Sequence, residues 1–338
     1  MLNKSKAKMN NDSSLLCCPN CHGKLTNRHT EYTCDDCSCN FGIKNGIPSL
    51  FIPNDWIDSK PDITSRMRAF YEKTPFPNYD EFDNIGTLLN KSREGIFARL
   101  LDEQIPLGSN ILDCGCGTGQ LTNFLAIANR QVHGVDMCMN SLNLATNFKN
   151  RNQLSRAKFI QMNLFKPCFK KEEFDLVISN GVLHHTSDPH LAFETISKLV
   201  KPGGYILIGL YHRYGRLATD LRRKIFNVTK EKYKQLDKRW NSDLESTRKE
   251  TWFMDQYKNP HESKHTITEV LNWFDRSEFN FIRTIPSTNI FKSIDENIKL
   301  FEHEPLSNRF ERAITTGSMI FSGHLEGGFF IMIGQKKK

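Results

Sequence analysis

The sequence predicts an α/β protein with a doubly wound, mostly parallel sheet, preceded by a small cysteine-rich module. Two observations support this prediction. Between residues 111 and 210, apolar runs of strand length alternate with segments whose apolar residues recur at helical spacing, a pattern typical of parallel strands joined by crossover helices. Six of the ten cysteines lie between residues 17 and 39, in a segment too short to fold by apolar burial alone.

Composition excludes several other classes of protein. The chain has 338 residues, of which 38% are hydrophobic and 25% charged, as in globular proteins rather than collagen-like, coiled-coil or wholly disordered chains. This length suits about two domains of roughly 150 residues each. No apolar run approaches the ~20 residues that cross a bilayer, and residues 1–16 lack the apolar core of a secretory signal. We therefore expect a cytoplasmic protein with a disordered tail over residues 1–16.

Two C-x-x-C pairs follow this tail. They are separated by twelve residues and consist of Cys18, Cys21, Cys34 and Cys37. In a reducing compartment such a cluster indicates metal binding rather than disulfides, and four thiolates can close a tetrahedron around zinc. We expect a structural zinc ribbon over residues 17–52, folded by its metal. Cys17 and Cys39 adjoin the pairs and are alternative ligands, whereas a redox function would explain one pair and not two.

Residues 53–61 are predicted to form a linker, and residues 64–73 a short helix before the main domain. The segment around this helix is rich in aromatic side chains: Phe70, Tyr71, Phe76 and Tyr79. Aromatic residues bury large apolar areas, so these four either pack in the core or cover a ligand. A helix around residues 90–104 then leads into the first strand of the main sheet.

A strand, a glycine-rich turn and a helix follow at residues 110–128. Gly115, Gly117 and Gly119 fall in the turn. This arrangement binds nucleotide-like ligands in doubly wound sheets, because glycine allows unusual backbone angles and a close approach of the ligand. The dinucleotide fingerprint G-x-G-x-x-G is incomplete here, since its last position is Gln120.

Two carboxylates indicate which ligand the turn would hold. Asp113 lies at the mouth of the turn, where it would repel a pyrophosphate and attract a cation. Asp136 ends the next strand, 17 residues beyond Gly119, where a carboxylate accepts hydrogen bonds from both hydroxyls of a ribose. A ribose contact together with an acid that faces a sulfonium or an amine describes S-adenosylmethionine better than NAD.

The rest of this region completes a sheet. Further elements are predicted in alternation: strands at 158–164, 174–180 and 205–210, and an amphipathic helix at 191–199. With these motifs in this order, residues 111–210 resemble the class I S-adenosylmethionine-dependent methyltransferases, above all the branch that includes the menaquinone and ubiquinone methyltransferases. The resemblance implies a Rossmann-like methyltransferase domain over residues 62–338, with a seven-stranded sheet whose last strand, at 326–334, is antiparallel.

The same resemblance implies the residues that contact the cofactor: Asp113, Gly115, Cys116, Gly117, Gly119, Asp136, Met137, Asn163, Leu164 and Asn180. Asp113 and the glycines would hold the methionine part and Asp136 the ribose, while Asn163 would meet the adenine amino group and Asn180 the edge of the cofactor. Asn163 stands where aspartate is commoner, but its amide oxygen can accept the same hydrogen bond. The cysteine pairs resemble the zinc ribbons found in front of, or as partners to, some bacterial methyltransferases.

Methyl transfer needs mainly alignment, and it needs a general base only where the acceptor loses a proton. His184 and His185 follow the fourth strand of this core, where the sheet opens toward a substrate, and they are the candidate catalytic residues. We rank His184 first. Either histidine can instead be a packing or capping residue, and His212 follows the next strand.

Two other motifs are set aside. His261 and His265 match the H-E-x-x-H metalloprotease pattern, which requires a helix. Thr266 and Glu269 form a capping box, so a helix should start after the motif and leave the histidines in a loop, where they could line a pocket. Cys168 follows a proline, as in the enzymes that methylate cytosine C5, but it precedes the strand that it should follow.

Basic residues concentrate in an insertion at residues 211–262. The chain carries 46 Lys and Arg against 38 Asp and Glu, a net charge of +8, and residues 211–249 alone hold twelve basic and five acidic side chains. Such an excess is either a solvated helical face or an attraction for anions such as nucleic acid or anionic lipid. In this position the insertion should roof the substrate pocket with its apolar stripe: Leu217, Leu221, Ile225 and Val228. A second insertion spans residues 286–326.

These observations predict an S-adenosylmethionine-dependent methyltransferase with a fused zinc ribbon, acting on a small organic acceptor. The residues after the fourth strand look like those of small-molecule enzymes, and the Asn-Pro-Pro-Tyr motif of base-amine methylation is missing. The ribbon and the basic insertion resemble features of some RNA methyltransferases, so RNA is the alternative acceptor. A cofactor-binding adaptor without turnover is a further alternative. The methylated atom and the oligomeric state do not follow from the sequence.

Overall fold

The computed structural model describes residues 14–56, 63–77, 84–237, 240–241, 246–287, 297–305 and 328–338. Most of the predicted tail, Tyr79 and most of the insertion at 286–326 lie outside these residues. The strands are β1 (Leu25–Asn27), β2 (Glu31–Cys34), β3 (Asn40–Lys44), β4 (Ile47–Leu50), β5 (Asn110–Cys114), β6 (Gln131–Asp136), β7 (Ala157–Met162), β8 (Phe174–Asn180), β9 (Val200–Tyr211), β10 (Phe279–Ile285) and β11 (Phe329–Lys336). The helices are α1 (Ile63–Lys73), α2 (Ile85–Glu94), α3 (Ile96–Gln104), α4 (Gln120–Ile127), α5 (Met139–Arg151), α6 (Pro189–Ser197), α7 (Leu217–Val228), α8 (Ser246–Phe253), which continues as a π-helical turn (Met254–Lys258), and α9 (Ile267–Arg276).

The eleven strands of the described residues form one sheet, in the order β1-β2-β3-β4-β7-β6-β5-β8-β9-β11-β10. The seven strands from β7 to β10 form the predicted doubly wound core. Neighbours in this core are parallel except at β11, which runs antiparallel to both β9 and β10. The prediction of a seven-stranded sheet was incomplete, because the four strands of the cysteine-rich module join the same sheet.

Strand β4 connects the cysteine-rich module to the main sheet. It pairs in parallel with β7, so that Ser49 lies opposite Gln161. Leu16, which precedes the first cysteine pair, is buried and forms a bridge with Phe169. Ordered structure therefore begins before residue 17, and the module shares an apolar core with the main sheet.

Helices cover both faces of the main sheet. Side chains alternate between the faces of a strand. In β5, Ile111 therefore packs with residues of α3, α4 and α5, while Leu112 packs with residues of α6 and α9. The carboxyl ends of the parallel strands then meet at one edge, which is where ligands bind in such sheets. Among the described residues, no helix combines the length and the apolar character that crossing a membrane requires.

Two elements differ from their predictions. Strand β9 begins five residues before the predicted strand at 205–210 and includes Pro202 and the two glycines that follow it. The register between β9 and β8 shifts here, so the extra residues bulge out of the ladder, where proline is tolerated. Helix α7 buries Phe226, whereas Leu217 and Leu221, expected to roof the pocket, are exposed.

Candidate active site

A cavity of about 1000 Å³ opens at the carboxyl ends of the central strands. Nine of the ten residues predicted to contact the cofactor line this cavity, and Gly119 is the exception. They come from the ends of β5, β6, β7 and β8 and from the loops that follow, which the parallel arrangement brings to one edge. The volume is within the range of pockets that bind small ligands.

The glycine turn after β5 brings bare backbone to the cavity. Gly117 has a φ of +54°, and a Cβ atom on it would collide with the carbonyl oxygen of Phe76. Gly119 has a φ of +73° and begins α4, and a Cβ atom on it would lie 2.7 Å from the Cβ of Ala145. Both the left-handed backbone and the close contacts require glycine at these positions.

Asp113 is buried at the end of β5, with 4% of its surface exposed. Its Oδ2 accepts a hydrogen bond from Oγ1 of Thr122 at 2.6 Å. Burial raises the pKa of Asp113 to about 6, and the charge of Asp136 adds to this effect while the hydrogen bond from Thr122 opposes it. A positively charged ligand group beside Asp113 would offset the cost of burying its charge.

Asp136 is fixed by backbone amides at the end of β6. The N–H of Gly117 donates to its Oδ2 at 2.9 Å, and the N–H of Cys138 donates to its Oδ1 at 2.8 Å. Burial raises the pKa of Asp136, and these two hydrogen bonds oppose that rise. Because each carboxylate oxygen has a second lone pair, the fixed group can still accept hydrogen bonds from two hydroxyls.

Asn163 has partners that the sequence did not indicate. Its Nδ2 donates to the carbonyl oxygen of Ile52 at 2.8 Å and to Oδ1 of Asn54 at 2.7 Å. Its Oδ1 accepts from the N–H of Phe165 at 3.1 Å. The segment that follows β4 therefore holds Asn163 at the cavity, and the amide oxygen keeps one lone pair for an amino group.

The candidate histidines have different surroundings. His184 is 0% exposed and does not line the cavity. Its ring centroid lies 4.6 Å from that of Tyr211, and burial lowers its pKa well below the usual value. His212 is also buried away from the cavity. The geometry therefore reverses our ranking, because His185 lines the cavity and His184 lies behind it.

One hydrogen bond sets the tautomer of His185. Its Nδ1 lies 2.7 Å from the carbonyl oxygen of His261. A carbonyl oxygen can only accept, so Nδ1 of His185 carries the hydrogen and Nε2 keeps its lone pair. Burial lowers the pKa of His185, which favours the neutral ring.

Side chains from α1 and from the π-helical turn complete the polar end of the cavity. The hydroxyl of Tyr71 donates to Oδ1 of Asp255 at 2.7 Å, and the Tyr71 ring centroid lies 6.2 Å from that of His185. Gln256 donates from Nε2 to the hydroxyl oxygen of Tyr211 at 2.6 Å. Asp255 and Gln256 belong to no sequence motif and were not predicted; only the aromatic segment at Tyr71 pointed to this end.

Arg216 and Glu262 support this end from behind. Arg216 donates from Nε and Nη2 to the two carboxylate oxygens of Glu262, at 2.9 and 2.6 Å, and from Nη1 to Oε1 of Gln256 at 2.7 Å. Its guanidinium carbon lies 3.6 Å from the ring centroid of Tyr211. Burial alone would raise the pKa of Glu262, but Arg216 holds it below the usual value. The ion pair thus fixes Gln256 and Tyr211, which both line the cavity.

The motifs that were set aside do not line the cavity. His261 and His265 lie in a loop before α9, as expected, because Thr266 caps that helix and its Oγ1 accepts from the N–H of Glu269 at 3.2 Å. Neither histidine is among the lining residues, so the expectation that they could line a pocket was wrong. Cys168 is also away from the cavity, and burial raises its pKa well above the usual value.

The aromatic residues before the main domain separate into two groups. Tyr71 and Phe76 line the cavity, and Phe70 does not. The ring of Phe70 packs against that of Tyr71, with centroids 5.2 Å apart. Two of the four aromatic residues therefore lie where they would contact a ligand.

Four cysteines come together in the N-terminal module. Their Sγ atoms all lie within 4.8 Å of one another: Cys18, Cys21, Cys34 and Cys37. The Sγ atoms of Cys18 and Cys37 are 3.6 Å apart, and those of Cys21 and Cys34 are 3.5 Å apart. Sulfur atoms bound to a tetrahedral zinc ion are separated by about 3.8 Å, so this group fits such an ion. Neither Cys17 nor Cys39 belongs to it.

Comparisons with known proteins point to one family. Residues 107–276, half of the chain, match the family described as "Methyltransferase domain". An uncharacterised protein of Synechococcus is 28% identical over 253 residues, which are 66% of this chain and 60% of that protein. The ubiquinone biosynthesis O-methyltransferase of Coxiella burnetii is 31% identical over 119 residues, which are 34% of this chain and 49% of that protein. The chain thus spans less than two thirds of the length of these relatives.

Among solved structures, phosphoethanolamine N-methyltransferase 2 of Haemonchus contortus aligns with a TM-score of 0.47 and 16% identity, over 80% of this chain and 60% of that one. The magnesium protoporphyrin IX methyltransferase of Synechocystis aligns with a TM-score of 0.46 and 12% identity, over 83% of this chain and all of that one. The family match includes the glycine turn and both carboxylates, Asp113 and Asp136. The chain therefore belongs to the methyltransferase domain family.

Proposed function

We propose that this protein transfers a methyl group from S-adenosylmethionine to a small organic acceptor. One observation carries the proposal: two sets of residues line a single cavity of about 1000 Å³. One set is the glycine turn with Asp113 and Asp136, and the other is the cluster of polar side chains formed by Tyr71, His185 and Asp255. The same chamber therefore offers bare backbone for a cofactor and polar side chains for an acceptor. Direct transfer between two bound molecules needs such a shared chamber, because alignment supplies most of the rate.

At the cofactor end, Asp136 would hold the ribose hydroxyls and Asn163 the adenine amino group, while Asp113 faces the positively charged methionine part. The bound cofactor supplies a methyl group on a positively charged sulfur, which is already a good leaving group. Asp113 favours this ligand because its buried carboxylate gains a counter-charge. Alignment by this chain's residues is then the main contribution, and well-oriented reactions reach effective molarities of about 10⁵–10⁸ M.

We assign proton removal to His185. The carbonyl oxygen of His261 holds the hydrogen on Nδ1, and the lowered pKa keeps the ring neutral, so Nε2 can accept a proton at neutral pH. As an oxygen or nitrogen of the acceptor bonds to the methyl carbon, its proton would pass to Nε2 of His185. A positioned base of this kind typically contributes about 10²–10⁴-fold in rate. His184, which lies behind His185, acts in packing.

The remaining lining residues indicate the kind of acceptor. Much of the cavity lining is apolar, including Leu88, Ile96, Phe97, Ile298 and Phe329. Among the described residues that line it, the charged ones are four acids and one lysine: Lys91, Glu94, Asp113, Asp136 and Asp255. This lining favours an apolar molecule with one methylatable polar group, and it repels a polyanion such as RNA.

We further propose that the cysteine group holds a structural zinc ion. Four thiolates fill a tetrahedral site and leave no position open for catalysis. Zinc analysis of the purified protein should give one ion per chain. Cys34→Ser should abolish zinc binding, whereas Cys17→Ser, outside the group, should retain it; retention of zinc by the Cys34→Ser protein would contradict the assignment.

Calorimetry and labelling test the main proposal. The purified chain should release heat on binding S-adenosylhomocysteine and none with NADH; the opposite result would overturn it. Radiolabelled methyl from S-adenosylmethionine should then enter the low-mass fraction of a cell extract. Label in RNA would establish the alternative acceptor, and cofactor binding without any transfer would establish a non-catalytic adaptor.

A further inference from the structure

The outer side of α7 carries an apolar stripe that no other described residue covers. Leu217, Leu221 and Val228 are 49%, 61% and 84% exposed. At about 100° of rotation per residue they lie within roughly 40° of one another, on the side of the helix opposite the buried Phe226. We call these three residues the α7 face. A surface helix normally turns its apolar stripe toward the core, so an outward-facing stripe suggests a binding surface.

Basic side chains surround the α7 face. Lys224, Lys230 and Lys232 are exposed, as is Arg213, whose Nη2 lies 3.5 Å from Oε2 of Glu269. Lys224 projects about 20° from Leu217 around the helix, so a charged nitrogen lies directly beside the apolar stripe. Lys224 and Lys230 have no ion-pair partner in the part of the chain that the structure describes.

The described acidic residues nearby are neutralised by ion pairs. Asp220 binds Lys264, with N and O 2.5 Å apart. Glu231 binds Lys234 at 2.8 Å and Lys258 at 2.9 Å. The described side chains on this side of α7 therefore carry a net positive charge.

We infer that the α7 face binds the surface of a bilayer that contains anionic lipid. Leucine and valine next to lysine and arginine are typical of helices that lie in the interface plane with their apolar residues among the acyl chains. Anionic headgroups attract the flanking basic residues. RNA fits the α7 face less well, because the stripe itself is aliphatic and proteins that hold single strands use aromatic rings for stacking. The exposed Tyr214 and Tyr233 lie outside the stripe, in the segments before and after α7.

Helix α7 also lies close to the acceptor end of the cavity. Arg223, on the same helix, donates from Nη2 to the carbonyl oxygen of Gln256 at 2.6 Å, and Gln256 lines the cavity. A protein bound to the bilayer through α7 would thus have this end near the lipid, where an acceptor with an apolar body would be dissolved. This last step rests on the proposed function, whereas binding to the bilayer does not.

Vesicle flotation with the full-length protein tests the inference. The protein should float with vesicles of phosphatidylcholine and phosphatidylglycerol, less so at high salt, and weakly with phosphatidylcholine alone. Leu217→Glu combined with Leu221→Glu should reduce the bound fraction about tenfold or more, because two charges would enter the acyl region. The matched control is Leu107→Glu, which alters a leucine 68% exposed in the loop before β5, at the opposite edge of the sheet, and it should leave binding unchanged.

Affinity for S-adenosylhomocysteine, measured on the same proteins, shows whether each variant is folded. Lost flotation with retained affinity supports the inference. If the double leucine variant fails to fold, Lys224→Glu combined with Lys230→Glu provides a second test and should give the same pattern. The inference is wrong if the unmodified protein does not float with anionic vesicles. It is also wrong if the double leucine variant floats as the unmodified protein does but has lost binding to poly(U) RNA or the ability to dimerise. If no protein binds S-adenosylhomocysteine while flotation behaves as expected, the proposed function fails and the membrane surface stands.

Discussion

Replacing Asp113 by asparagine should stabilise the cofactor-free protein and lower its affinity for the cofactor. The carboxyl group is 4% exposed, and burial raises its pKa from 3.8 to about 6. At 1.36 kcal/mol for each unit, ionised Asp113 costs the folded protein about 3 kcal/mol. Asparagine has the same shape and can still accept the hydrogen bond from Thr122 without the charge. We therefore expect Asp113→Asn to raise the free energy of unfolding by up to about 3 kcal/mol at neutral pH.

The increase in unfolding free energy that Asp113→Asn gives should become smaller as pH falls. The folded-state pKa of Asp113 lies above the unfolded value, so the folded protein binds this proton more tightly. The contribution of Asp113 to stability therefore rises as pH falls from about 6 to about 4. The difference in unfolding free energy between the variant and the natural protein should be largest above about pH 6 and should vanish near about pH 4.

Urea unfolding of the empty protein at several pH values measures this difference, and calorimetry with S-adenosylhomocysteine measures the affinity. Asp175→Asn is the matched control, because Asp175 lies at the start of β8, away from the cavity, and accepts from the N–H of Asn110. This control should keep the cofactor affinity and gain no stability. If Asp113→Asn lost stability at neutral pH, or bound S-adenosylhomocysteine as tightly as the natural protein, the reasoning would be refuted.

Three further changes test other parts of the molecule. His185→Gln should lower kcat by about 10²–10⁴-fold at unchanged affinity for S-adenosylhomocysteine. The control His261→Ala keeps the backbone carbonyl of residue 261 and should retain activity. Because the pKa of His185 is lowered, the acidic limb of the pH–rate profile should lie below the usual histidine value of 6.5. Glu262→Gln should cost about 3–5 kcal/mol of unfolding free energy in urea titrations, since it leaves the buried Arg216 without its charged partner; no loss would contradict the role of this ion pair. Removing metal with a chelator should unfold the cysteine-rich module, which circular dichroism would detect. It should also weaken cofactor binding in calorimetry, because the segment after β4 holds Asn163. Unchanged affinity in the metal-free protein would show that folding of the module and cofactor binding are not coupled.

The end of the cavity that we propose for the cofactor was predictable from the sequence, because its determinants are local. Gly117 and Gly119 adopt positive φ angles that exclude most other residues, and Asp113 lies at the end of the strand that precedes them. The strands of the core likewise follow from apolar runs of a few residues. The sheet's full extent was missed, because no local pattern in β4 indicates that it pairs with β7.

The end of the cavity that we propose for the acceptor was not predictable, because contacts between distant residues create it. Tyr71 and Asp255 are 184 positions apart in the chain. His184 and His185 are neighbours with the same local sequence signal, and the carbonyl of His261, 76 positions away, helps to decide which ring is held at the cavity. Periodicity placed Leu217 and Leu221 on one side of α7 but could not tell which side the fold turns outward.

The pairing of β4 with β7 also gives the cysteine-rich module a protective role. An uncovered strand at the border of a sheet exposes backbone N–H and C=O groups that can recruit a second chain. Ser49 and Leu50 occupy that border along β7, so detachment of the module would leave β7 open to intermolecular pairing. If the cysteine group holds zinc as proposed, loss of the metal would expose β7 and lead to aggregation of this protein rather than to an intact but inactive form.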